Sequence, residues 1–441
     1  MFEFTSLKRR FGCDERGGVA VMFGLSATIL FTIAGVAIDS SRAYNVSFKL
    51  QAGLDAAALA AAQLLDDASV TPDRYQEVGE AYFRSYLDRL HISDVSASNI
   101  QVVPNFADSS VTVSADVAIR TMFGAISSAV STFDYTPSAT VIFKPKKIEL
   151  SLVLDITGSM CDVPPAFAFD ACSSGAKISA LKAAAADIVE QLSATNPSPG
   201  SIKLSVVPYA ASVNLGWRAA GLTGGASVDG CLVERQGGSA FKDDDPSQLF
   251  PVADRATFPA YSCPEPDVLP LTDLADLANR NRVLAKIGAL TGFGGTAGHL
   301  GLAWGWYTVS PNWSSYWPGA SAPRPFDPEK SIKSVILMTD GMFNTSYKNG
   351  GEAVAWPDPA SGDSAISGTS GDQALKICRE MQKNGNEIRL YTIGFQTPPE
   401  AEALLKECSG ETNFYNADNA AQLSEAFRDI AKRLSNIRVS S

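Results

Sequence analysis

Apolar and polar positions divide the chain into stretches of different period. Residues 18–38 (GVAVMFGLSATILFTIAGVAI) run for 21 residues without a charge, long enough as a helix to cross a bilayer. No polar stripe interrupts that run, as one would in an amphipathic core helix. Residues 40–66 contain no proline and are rich in Ala and Leu, so the helix is expected to continue. Leu50, Leu54, Ala57, Ala58, Ala61, Leu64 and Leu65 recur at helical spacing, a stripe suited to packing within the chain's own domain. Residues 73–90 read as a second helix. Asn99–Val103 and Val111–Ile119 then flank Asn105, Asp108, Ser109 and Ser110 in a hairpin-like pattern, and Thr136–Phe143 reads as a third strand.

Beyond residue 147 the pattern becomes apolar strands separated by helices. Strands are expected at 148–154, 202–208, 332–339, 387–394 and 412–416. Helices are expected at 176–193, 276–289, 297–306, 372–384, 399–407 and 420–434. This alternation predicts an α/β fold, a mostly parallel sheet with helices on both faces. Ligands in such sheets bind at the carboxyl ends of the strands. The segment 209–270, rich in Gly, Pro and Asp, reads as an insertion, and 341–370 as another. The run Asp243-Asp244-Asp245 reads as a solvated turn, and Trp306–Trp317 as a packed aromatic loop at the opposite end of the sheet from the ligand site.

Composition adjusts this picture. A length of 441 residues allows two or three domains, and a net charge of −11 argues against a sequence-wide nucleic-acid surface. Lys8, Arg9, Arg10 and Arg16 precede the apolar run and favour a cytoplasmic N-terminus. Ile38-Asp39-Ser40 is a poor cleavage site, so a retained anchor is favoured over a removed leader. Of seven cysteines, Cys13 precedes the apolar run and six follow it. Six allow 15 pairings. The sequential set Cys161–Cys172, Cys231–Cys263 and Cys378–Cys408 is favoured, stapling the loop after Asp155, the long insertion and two helices. His91 stands alone, His299 shows no acid–base role, and the chain lacks His-Glu-x-x-His, Gly-x-Ser-x-Gly and P-loop motifs, so no enzymatic function is expected.

The chemistry gathers at strand ends. Strand 148–154 stops at Asp155 and is followed by hydroxyls at Thr157 and Ser159. Gly294-Gly295-Thr296-Ala297 opens a helix, and strand 332–339 stops at Asp340-Gly341. An all-oxygen set of this kind suits a hard cation. The five residues Asp155, Thr157, Ser159, Thr296 and Asp340 resemble the metal-ion-dependent adhesion site of von Willebrand factor A (vWA) domains, whose pattern is Asp-x-Ser-x-Ser, Thr, Asp. Thr157 stands where that family usually has Ser. The resemblance implies a Rossmann-like vWA fold and a Mg²⁺ ion, with Mn²⁺ or Ca²⁺ as alternatives. It also implies a partner protein whose carboxylate completes the coordination.

The N-terminal stretch carries a second resemblance. Arg10-Phe11, Asp14-Glu15-Arg16-Gly17-Gly18, Asp39, Arg42, Leu50-Gln51-Ala52 and Asp55-Ala56-Ala57-Ala58-Leu59-Ala60 look like the start of TadG-type proteins of Flp (tight adherence) pilus assembly. Val19–Phe23 lacks the Glu that related pilins use in processing. The domain plan is then a cytoplasmic stretch 1–17, a membrane helix 18–38, an α+β module 39–146 and a vWA-like domain 147–441. The implied protein is anchored in the bacterial inner membrane, single pass, with its bulk periplasmic or surface-facing. It would serve pilus assembly by binding another pilus or envelope component. A surface adhesin binding host or matrix protein through the same site is the alternative. A subunit of a chelatase-like machine would need a cytoplasmic domain, which the anchor opposes.

Overall fold

The computed structural model describes residues 16–66, 70–90, 94–106, 109–123, 131–143, 145–161, 172, 175–194, 197–226, 229–247, 250–252, 263–347, 353–354, 368–383 and 388–439. Cys13 and His91 lie outside these residues, as do most of 162–174 and much of the insertion at 341–370. The chain divides into two compact units, the second running from Pro145.

The first unit opens with one helix of 47 residues, α1 (Arg16–Ala62). Its first half exposes Val19, Phe23, Leu30 and Phe31, and the helix is long and apolar enough to cross a membrane. Its second half buries Leu50, Leu54, Ala57, Ala58 and Ala61 against Tyr75 and Phe83 of α2 (Pro72–Leu90) and against a sheet. That sheet holds β1 (Val95–Asn105), β2 (Ser110–Arg120), β3 (Thr132–Tyr135) and β4 (Ser138–Ile142). All pairings to β2 are antiparallel. The strand expected over 136–143 is β4, and β3 precedes it as a further strand that was not expected. β3 pairs with Val117–Arg120 and β4 with Ser110–Ser114, and the break falls at Thr136-Pro137. Pro137 has no N–H to give a ladder, though its carbonyl still accepts from Ala115 N at 3.3 Å. Asp39 is buried where the apolar run ends. Its two oxygens accept from Met122 N and Phe123 N at 2.8 and 2.9 Å.

The second unit starts with β5 (Lys147–Asp155), α3 (Ala176–Ser193) and β6 (Ile202–Tyr209). It continues through β7 (Leu269–Asp273), α4 (Leu277–Gly288), α5 (Gly298–Val309) and β8 (Ser331–Thr339). It closes with α6 (Ser370–Met381), β9 (Ile388–Phe395), α7 (Pro399–Ser409), β10 (Phe414–Ala417) and α8 (Ala420–Val439). The sheet order is β10-β9-β8-β5-β6-β7. All neighbours are parallel except β6 and β7, which are antiparallel. The chain winds outward from β5 to β7 and then crosses back to β8, so the topological switch lies between β5 and β8. β7 was not foreseen, because Leu269-Pro270-Leu271-Thr272-Asp273 closes a stretch that reads as insertion. Pro270 confines it to an edge.

Alternate residues of β5 feed separate cores. Leu150, Leu152 and Leu154 meet α3, α4 and α8, while Val153 meets α5, α6 and α7. Every residue of α5 is buried. Its glycines let it lie close on the sheet: a Cβ at Gly301 would stand 2.5 Å from the Tyr209 ring, and one at Gly305 would strike Val153. At the far end of the sheet, buried Glu149 pairs with buried Lys333 and with Arg324. The aromatic loop packs there as expected, Tyr307 stacking on Trp313 with centroids 4.2 Å apart. The acidic turn is more structured than its composition suggests. The carbonyls of Asp244 and Asp245 accept from Arg235, and Asp243 accepts from Ser310 and Asn312. Three disulfides join Cys161 to Cys172, Cys231 to Cys263 and Cys378 to Cys408.

Candidate metal centre

Asp155 ends β5 and is fully buried. Its Oδ1 accepts from Thr157 N at 2.8 Å. Its Oδ2 accepts from Thr339 Oγ1 at 2.7 Å and Tyr209 OH at 3.3 Å. Thr157 and Ser159 stand on a short turn, their hydroxyls 2.9 Å apart. Ser159 Oγ then donates to Asp340 Oδ1 at 2.5 Å, across the switch point between β5 and β8. Direct hydrogen bonds thus link four of the five expected residues.

Thr296 adjoins them through backbone. Gly158 N donates to Gly294 O at 2.9 Å, and Gly294 takes φ +80°, which favours glycine. Asn344 Oδ1 accepts from Thr296 N, and the N–H groups of Asn344 and Thr345 return to Thr296 O. Thr296 is buried.

Burial, and next the charge of Asp340, push the Asp155 carboxyl up from its ordinary value to about 6. Two buried carboxylates and the hydroxyls of Thr157, Ser159 and Thr296 make an all-oxygen set that fits a hard divalent cation. Tyr209, Thr339 and Lys177 were not foreseen. Tyr209 pairs with Asp155 in the β5–β6 register, and burial holds its phenol protonated as a donor. Lys177 Nζ donates to Asp340 Oδ2 at 2.7 Å.

Two further clusters have structural explanations. Asp229, Cys231 and Cys263 lie together, but the sulfurs are joined as a disulfide and offer no thiolate. His299 contacts Ser370 Oγ at 2.6 Å and Glu234 Oε1 at 3.0 Å. That is a hydroxyl–imidazole–carboxylate chain, yet all three side chains are more than nine-tenths buried. Glu234 also accepts from Tyr347 N and Gln373 Nε2. The chain ties the insertion to α5 and α6 and presents no hydroxyl to a substrate.

The sheet order and its antiparallel edge strand make the second unit a doubly wound α/β domain, the class expected from the strand and helix pattern. Residues 17–64 match the Tad family, described as "Putative Flp pilus-assembly TadE/G-like". No curated protein matches the chain in sequence. Solved structures similar to it include the pilus adhesin SpaC of Lactobacillus rhamnosus GG, 12% identical with TM-score 0.39, covering 78% of this chain and 34% of that one. The chain therefore spans about a third of that adhesin. The PilB minor pilin of Streptococcus sanguinis is 14% identical with TM-score 0.38, covering 77% of this chain and 78% of the pilin. The vWF domain of the type V pili tip protein Mfa5 from Porphyromonas gingivalis is 14% identical with TM-score 0.38, covering 68% and 98%.

Proposed function

We propose that this chain is a membrane-anchored, non-enzymatic protein of Flp (Tad) pilus assembly. Its vWA-like domain binds another pilus or envelope protein through a divalent ion. Asp155, Thr157, Ser159, Thr296 and Asp340 would hold Mg²⁺, or Mn²⁺ or Ca²⁺ in its place. When bound, the ion would supply a Lewis-acid site for a carboxylate on the partner. The observation that carries the reading is the hydrogen-bonded line from Asp155 through Thr157 and Ser159 to Asp340. The N-terminal Tad match supplies the setting. The exposed apolar half of α1 and the basic residues before it support anchoring in the inner membrane with a cytoplasmic N-terminus.

The test replaces Asp155 by Ala. Mn²⁺ binding, capture of the pilus partner and surface piliation are all expected to fall. Normal piliation in a variant that no longer binds Mn²⁺ removes the ion from the mechanism. Normal piliation with lost attachment to host or matrix protein favours the adhesin reading instead.

A further inference from the structure

Lys177 is an unusual residue at its position. It lies in the first turn of α3, where a cation opposes the helix dipole. Its Nζ reaches 2.7 Å from Asp340 Oδ2, while Ser159 Oγ holds Oδ1. The Asp340 side chain is fully buried and that of Lys177 is 27% exposed, so the ammonium enters the site from the rim. Among the described residues no other cation bonds to Asp155 or Asp340, since Asp155 is held by hydroxyls and an N–H.

The start of α3 is itself pinned. Cys172, four residues before Ala176, exchanges backbone hydrogen bonds with Gly292 at 2.7 and 3.0 Å, and the Cys161–Cys172 bridge leaves no room for a Cβ there. Cys172 and the turn at Cys161 are thereby held to Gly292, in the segment that leads to Thr296. Lys177 is placed at the site, not swept past it.

Charge then sets up a competition. Asp155 and Asp340 as carboxylates carry two negative charges, of which Lys177 offsets one. A divalent ion bound by both neutralises the pair unaided. Ammonium and ion together would leave an excess positive charge in a buried site, which is unfavourable at low dielectric. Both also need Asp340. We propose that Lys177 is a built-in counter-cation: it holds Asp340 in the ion-free protein and is displaced when a divalent ion binds. The domain thus keeps its site assembled without metal, at the expense of metal affinity. This inference rests on the metal reading above.

The test uses the full chain in detergent. Mn²⁺ affinity is measured by calorimetry and thermal unfolding is followed in EDTA, for wild type, Lys177→Met and Lys177→Gln. Removing a cation that competes for a ligand carboxylate raises the affinity of that carboxylate for the metal. Lys177→Met is therefore expected to bind Mn²⁺ about tenfold or more tightly and to unfold at lower temperature in EDTA. Lys177→Gln keeps a donor without the charge and should also bind Mn²⁺ more tightly; it decides the question if the Met variant does not fold. Equal Mn²⁺ affinity in wild type and the folded variants overturns the counter-cation role and leaves the metal site standing. Absence of Mn²⁺ binding in all three overturns the metal reading, and this inference with it.

Discussion

Asp155 has both oxygens engaged by neighbours that come from β6, β8 and its own turn. Those bonds do not compensate for its burial beside a second carboxylate, and its pKa stands at about 6 against an ordinary 3.8. The folded chain holds this proton more tightly than the unfolded chain does. Its contribution to stability therefore falls as pH rises from about 4 to about 6 and stays low above that. A divalent ion at the proposed site would reverse the sense, because it would bind the carboxylate and its stabilisation would grow as the proton leaves. We predict that, in EDTA, urea unfolding of Asp155→Asn will show a gain over wild type that widens from pH 4 to pH 6.5. A difference that does not change across that interval would mean that the carboxylate is not penalised by the fold. With Mn²⁺ added, wild type should gain the advantage over the same interval.

At the scale of elements, the site depends on how closely α5 approaches the sheet. Glycine inside a helix ordinarily costs about 1 kcal/mol relative to Ala, so Gly→Ala normally stabilises. Gly301 is different, because its Cβ would press on Tyr209, the phenol that holds Asp155 Oδ2. Gly301→Ala should destabilise by about 1–3 kcal/mol, as overpacking does, and weaken Mn²⁺ binding. Gly288→Ala, with open space around its Cβ at the end of α4, should do neither. Equal effects in chemical unfolding would remove the close-packing argument. Elements with a clear period were legible in the sequence: α3 spans the expected residues, β5 is longer than expected by one residue at each end and β8 by one residue at its start. The edge strand β7 was not, because proline and polar residues dominate it and its pairing with β6 is set at long range. Asp155 and Asp340 could be read because each ends an apolar strand. Tyr209, Lys177 and the His299–Ser370–Glu234 chain could not, because side chains 50 or more residues apart meet only once the sheet is wound.

For the whole molecule, the cysteines bear on which side of the membrane the second unit occupies. The three disulfides span 11, 32 and 30 residues and all lie after the apolar run. Loops of this length can each stabilise by about 3 kcal/mol. Such bridges persist in oxidising compartments and are rare in the bacterial cytosol. Four basic residues before the run favour keeping the N-terminus inside, where Cys13 would stay a thiol. Charge and cysteine placement therefore argue independently for one orientation. The prediction is a count. Full-length protein purified with free thiols blocked at lysis, then denatured without reductant, should carry one blocked cysteine, Cys13. Reduction should release six more. Seven blocked cysteines would place the vWA-like domain in a reducing compartment and reverse the orientation, and with it the proposal that its metal site meets an envelope partner. One blocked cysteine at another position would keep the export but break the sequential pairing, and peptide mapping of the blocked site separates the two outcomes.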